Sequence, residues 1–206
     1  RQRLLSQELA LLEELAKRYD HHYYAWNHWA WLDRKSLEVL PKTGGPTDAA
    51  SFQMDFPKLA FATPSHYGLY HHRLVRLHRQ MSDGFAVSEF QALPGGLLVP
   101  SAFIEEWSLA QKLLETFPHL EAPWAFRAQV FALAAEAAAQ EVQMAEVRRG
   151  EPQDKIEKVA EFWKFEVDFA KKLTEQEDSR RWALRFQVHV LQELGFFLLE
   201  AAEHFA

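Results

Sequence analysis

One segment of this chain returns. From Leu15 to Leu32 the sequence reads LAKRYDHHYYAWNHWAWL. Placing Trp26 over Tyr70 and Trp124 without gaps puts Leu15 on Leu59 and Leu113, and Asp20 on Pro64 and Pro118. His22 and Tyr23 fall on His66 and Tyr67, His28 on His72, and Trp29 on Arg73 and Arg127. Each copy reads as an apolar helix end, a tight polar turn and a second helix opened by a large aromatic. Recurrence over several tens of residues marks stacked supersecondary units, each of which needs a neighbour to cover its apolar face.

The rest of the chain fits that frame. Leu5, Leu9, Leu12 and Ala16 share one face of a helix over 1–18, with Leu4, Leu11 and Leu15 beside them and Glu8, Glu13, Glu14 and Lys17 opposite. A second helix is expected from about His22 to Leu40, ended by Pro41 and the Gly44-Gly45-Pro46 cluster. Thr47-Asp48 is expected to cap a short helix through Ala62, with Phe52, Phe56 and Leu59 inward and a kink or late start at Pro57. After the Thr63-Pro64-Ser65 turn, a helix runs from His66 to about Met81. Residues 82–100 read as a long connection with a short helix near Ser88–Leu93, and Ser101 as the cap of a third pair. Phe103, Trp107, Ala110 and Leu114 form its stripe, and its partner runs from near Ala122 to about Arg149, with Pro123 in the first turn. In a fourth pair, Phe162, Phe165, Phe169 and Leu173 line one helix, and Trp182, Phe186, Val190, Leu194 and Phe197 line the last. No strand pattern of period two is read anywhere. The fold class expected is all-α: one domain over 1–206 built of helical hairpins at about 1–40, 47–81, 101–149 and 153–205, stacked as a superhelix. Arg1 opens the sequence where a Met is usual, which suggests a fragment with further repeats upstream.

Composition narrows the function classes. A net charge of −6 argues against a general nucleic-acid binder, which carries a basic face. With no cysteine there is no disulfide and no thiolate chemistry, and a reducing, cytoplasmic setting is expected. No apolar run reaches about 18 residues, so no membrane span is expected. The histidines cluster as His21, His22 and His28, and as His66, His71, His72 and His78, yet none shows the His-Glu-x-x-His spacing that aims two ligands from one helical face. No metal site is expected. Neither a phosphate-binding glycine loop nor a nucleophile–base–orienter set appears.

The anchors Trp26, Tyr70, Trp124 and Trp182 lie 44, 54 and 58 residues apart. Tetratricopeptide units hold close to 34, so a peptide binder of that type is disfavoured. Trp26, Tyr70 and Trp124 read as packing anchors. His28 and His72 read as structural hydrogen-bonding groups between helices, and Arg73 and Arg127 as partners of carboxylates on neighbouring helices.

The anchor segments resemble the repeats of protein prenyltransferase alpha subunits, which open each second helix with Asn-Tyr-x-x-Trp-x-His-Arg. The copies here are His22-Tyr23-Tyr24-Ala25-Trp26-Asn27-His28-Trp29, His66-Tyr67-Gly68-Leu69-Tyr70-His71-His72-Arg73 and Leu120-Glu121-Ala122-Pro123-Trp124-Ala125-Phe126-Arg127. The likeness covers about residues 1–135. The long insertion between the second and third copies is most similar to the divergent alpha-subunit-repeat-containing branch. The first copy departs in carrying Trp29 for Arg, and the third has lost both Tyr and His.

That resemblance implies a right-handed alpha-alpha superhelix that acts with a separate beta subunit, where zinc and the isoprenoid diphosphate are held. The protein substrate carries a C-terminal cysteine, and transfer of a farnesyl or geranylgeranyl group requires both subunits. The alpha subunit's contribution comes from the starts of second helices, where free N–H groups and a partial positive charge favour an anion. By position, Tyr23 and Tyr24 match the residues nearest the diphosphate, with His21, His66 and Tyr67 as further candidates. The alternative expectation is a non-enzymatic helical-repeat scaffold for protein–protein interaction.

Overall fold

The computed structural model describes residues 2–19, 23–39, 55–82, 90–147 and 152–205. The helices are α1 (Gln2–Arg18), α2 (Tyr23–Val39), α3 (Phe56–Ala62), α4 (Tyr67–Ser82), α5 (Ser101–Thr116), α6 (Glu121–Val147), α7 (Pro152–Thr174) and α8 (Arg180–Phe205). A 3-10 turn, Glu177–Ser179, joins α7 to α8. The described residues are all-α apart from one small hairpin, and no described helix is long and apolar enough to cross a membrane. It divides into two compact units, Arg1–Arg73 and Leu74–Ala206, with the division inside α4.

In the first unit α1 packs on α2 through Leu12, while Leu4 and Leu11 stay exposed. α2 buries Ala25, Trp26, Trp29 and Leu32 on one face. The indoles of Trp26 and Trp29 stack at 5.4 Å with planes 6° apart, a pairing worth about 0.5–1.5 kcal/mol beyond its area. α3 starts late. Asp55 is its N-cap, taking the Lys58 N–H on Oδ1 at 3.0 Å, and Pro57 sits in the first turn, where its missing N–H costs nothing. Thr47, Asp48 and Phe52 lie outside the described residues, as do Leu40, Pro41 and the Gly44–Pro46 cluster. Phe56 then carries the unit's aromatic packing onward, 5.5 Å from Trp29 and stacked at 5.4 Å on His72 of α4.

In the second unit α5 packs on α6, and α6, α7 and α8 pack on one another. Phe103, Leu114, Trp124, Phe131, Phe162, Trp163, Phe186 and Val190 form one continuous core.

Two expectations fail here. Residues 90–100 hold no helix near Leu93 but an antiparallel hairpin of β1 (Phe90–Ala92) and β2 (Leu98–Pro100), with Gln91 facing Val99. Its turn is Leu93-Pro94-Gly95-Gly96, closed by Gly96 N–H to the Leu93 carbonyl at 2.9 Å. Proline sets φ at the first corner, and Gly95 (φ 85°) takes the left-handed second corner. A Cβ on Gly95 would meet Glu161 Cβ at 2.8 Å and Phe162 N at 3.0 Å, so the turn rests directly on α7. Second, Ser101 is not a cap: it is the first helical residue of α5, whose N-cap Pro100 has no side chain able to accept the orphan N–H groups. Pro152 is the first residue of α7, where proline's missing N–H costs nothing.

Candidate functional site

The repeated turn comes first, because it places every candidate residue. Tyr19 N–H bonds to the Leu15 carbonyl at 3.0 Å, Thr63 to Leu59 at 2.9 Å, and Phe117 to Leu113 at 2.7 Å. These are the same bond at the separations of 44 and 54 residues found by aligning the sequence. Thr63 (φ −135°, ψ 62°) and Phe117 (φ −128°, ψ 56°) end their helices in nearly the same conformation. One step later His66 N–H meets the Thr63 carbonyl and Leu120 N–H the Phe117 carbonyl. The anchor side chains then tie down the turn prolines. Tyr70 donates its hydroxyl to the Pro64 carbonyl at 2.9 Å, and Trp124 its indole N–H to the Pro118 carbonyl at 2.8 Å. A phenol and an indole thus do one job: each fills the core and donates to the carbonyl of the turn proline. Burial of the Tyr70 phenol pushes its pKa well above the ordinary tyrosine value.

The fourth turn is one residue tighter. Gln176 N–H bonds to Leu173 only three residues back, where the others reach four. Gln176 and Ser179 then correspond to Phe117 and Leu120 at 59 residues, and the helix that follows is rotated against the separation of 58 read from Trp182. The anchor position passes to Ala183, fully buried, and Trp182 lies half-buried at the surface. The inward stripe of α8 is therefore Ala183, Phe186 and Val190, with Trp182 and Leu194 partly buried against the same core and the side chain of Phe197 outside the described residues.

Of the residues expected near a diphosphate, Tyr24 is 79% exposed in the first turn of α2 and Tyr67 is 46% exposed at the first residue of α4. His21 and the side chain of Tyr23 lie outside the described residues. His66 is 1% exposed and is held in the core edge-on to Trp26 at 4.9 Å. Its Nε2 lies 3.3 Å from both the Trp26 indole N–H and the Tyr19 carbonyl. One tautomer accepts the first and the other donates to the second.

The remaining expected structural residues divide by chemistry. His28 reaches Glu8 of α1 at 3.2 Å on the surface and stacks on Trp31. His72 is buried among Trp26, Trp29 and Phe56. Arg73 lies with its guanidinium 5.2 Å over the Phe56 ring. Arg127 does meet a carboxylate. Its Nε and Nη2 each donate at 2.8 Å to Glu166 of α7, and both side chains are fully buried. Trp107 donates to the same carboxylate at 2.6 Å, and the guanidinium lies between the rings of Phe169 (4.3 Å) and Trp107 (5.1 Å). Glu166 and Trp107 were not singled out as Arg127's partners from sequence. The available signal was a lone Glu on the apolar face that carries Phe162 and Phe169.

A shallow cleft of about 160 Å³ opens between the first turns of α6 and α8, walled by Trp124, Trp182, Phe186, Glu121, Arg185 and His189. Among the described residues no three His, Asp or Glu side chains gather as a metal site. The chain matches no protein-family model, no curated protein and no solved structure.

Proposed function

We propose that this chain is an alpha-type subunit of a heterodimeric protein prenyltransferase, supporting transfer of a farnesyl or geranylgeranyl group to a protein cysteine together with a beta subunit. One observation supports this most: the second and third motif copies share one turn, with Thr63 N–H to Leu59 and His66 N–H to Thr63 matched by Phe117 N–H to Leu113 and Leu120 N–H to Phe117. The shared turn makes those two copies a structural repeat, not a chance run of aromatics. The proposal includes the right-handed superhelix of stacked hairpins. It assigns Tyr24 and Tyr67 to the diphosphate, as exposed hydroxyl donors in the first turns of second helices. Zinc and the lipid pocket belong to the partner in this reading.

A second reading, a scaffold without catalytic partnership, is favoured by His66. Its side chain is committed to Trp26 and the Tyr19 carbonyl, and cannot turn to a substrate without opening the core. A pull-down of tagged protein from its own cell extract separates the two. Stoichiometric recovery of a prenyltransferase beta subunit supports the enzyme; other proteins in its place support the scaffold. In the complex, Tyr24→Phe and Tyr67→Phe test the donors, and unchanged turnover removes them from the mechanism.

A further inference from the structure

Ala125 and Ala128 stand nearly one turn apart on α6, and their small side chains leave open the cleft that faces Trp182 and Phe186 of α8. His189 ties the two helices at that spacing. Its Nε2 lies 3.2 Å from the Ala128 carbonyl, which can only accept, so the ring donates. The walls are therefore preformed. Their volume of about 160 Å³ is below the roughly 300–1,000 Å³ of pockets that enclose a whole small ligand. It suits one large apolar side chain presented by a longer molecule.

The charges on the α8 side define that molecule. Arg185 lines the cleft, and its guanidinium lies 5.1 Å over the Trp182 ring. That of Arg181 lies 4.8 Å over the same ring. Stacking on one indole holds both cations beside the opening. Both arginines are exposed, and among the described residues neither is paired with a carboxylate. Bases at a helix start work against its dipole, so the fold's own electrostatics do not ask for them. Two like charges held on one ring favour an anion from outside. Glu121 lines the α6 side and repels one, so acid fits on one side of the apolar group only. We propose that the cleft binds an acidic peptide segment. An apolar side chain of the peptide enters against Trp124 and Phe186, and a neighbouring Asp or Glu of the peptide meets Arg185 and Arg181. The chain's net charge of −6 disfavours such a partner elsewhere, which confines it to this basic spot.

A library of short random peptides, displayed and selected against the full chain, tests this directly. The recovered peptides are expected to carry an apolar residue with Asp or Glu beside it. By fluorescence anisotropy of those peptides, Arg185→Glu should weaken binding about tenfold or more, and added salt should weaken it further in the parent. Ala125→Leu fills the cleft and should remove binding. Its far-UV circular dichroism should match the parent, because the added side chain enters open space and leucine is a good helix former. Failure to recover any peptide, recovery of peptides that are basic or uncharged, or binding indifferent to either substitution would overturn the proposal. It stands apart from the prenyltransferase reading, and either can fail without the other.

Discussion

The two units fasten one repeat to the next at matching places by different means. In the first, the anchor Trp26 of α2 meets His66, just before α4, through a neutral contact of 3.3 Å inside an aromatic cluster. In the second, Arg127, three residues after the anchor Trp124, reaches Glu166 of α7 through a fully buried, two-pronged ion pair capped by Trp107. Yet the helices that precede both anchors end on the same bond, Tyr19 N–H to Leu15 and Phe117 N–H to Leu113. What repeats is the backbone and its aromatic anchor. The polar group that spans to the next helix varies, because any buried donor is acceptable once it has a partner. Trp29 where the later copies have Arg is the same lesson: the position packs on Phe56 in the first copy and needs no charge.

The difference should be measurable as unequal sensitivity. The largest effect is expected at the charged junction. Glu166→Ala leaves a buried guanidinium without its counter-charge, and should cost about 3–5 kcal/mol in chemical denaturation. Replacing both members by apolar residues, Arg127→Met with Glu166→Leu, should recover most of that loss. If the double variant is as unstable as the single, the pair has a role beyond neutralising itself.

The neutral junction should yield to crowding more than to charge. A Cβ on Gly68 would fall within 2.9 Å of Cδ1, Nε1 and Cγ of Trp26. Gly68→Ala should therefore destabilise the first unit by about 1–3 kcal/mol, although alanine favours helix. Near-ultraviolet circular dichroism of the tryptophans should change with it. A fully stable variant would show that the indole has room to move.

A smaller effect is expected at the anchor bonds. Tyr70→Phe removes the donor to the Pro64 carbonyl and should cost about 1 kcal/mol. The same tyrosine sets a pH dependence. Its folded pKa is raised above the ordinary 10.0, so the fold favours the neutral phenol. That stability is whole below pH 10.0 and declines as the pH climbs above it, because the unfolded chain ionises first. Melting temperature should fall more steeply between neutral and strongly alkaline pH in the parent than in Tyr70→Phe. Parallel curves would contradict the burial argument.

The smallest effect belongs to the surface pair of His28 and Glu8, both about half exposed. Breaking it with Glu8→Gln should cost under about 1 kcal/mol, and less in high salt.

The turns were legible in the sequence because they demand particular residues at fixed offsets: a Leu to end the helix, a proline six residues before an aromatic donor. The helix starts at Tyr67 and Glu121 lie within one residue of those expected, His66 and Ala122. The fourth copy was not, because shortening a turn by one residue rotates the next helix by about 100°, which moves the anchor from Trp182 to Ala183. A small buried residue gives no signal against a tryptophan next to it. The hairpin at Phe90–Pro100 was missed because its strands are too short to show a period, although Leu93-Pro94-Gly95-Gly96-Leu97 holds the turn chemistry in full. His66 and Tyr67 looked equivalent as helix-start donors; only packing separates the buried imidazole from the exposed phenol.

The most direct test of the account is reconstitution. Full-length chain co-expressed with a prenyltransferase beta subunit from the same cells should elute with it as one complex and attach an isoprenoid to a protein bearing a C-terminal cysteine, with neither subunit active alone. Separate elution of the two chains, with no transfer by the mixture, would contradict the prenyltransferase reading and leave the repeats as an interaction scaffold.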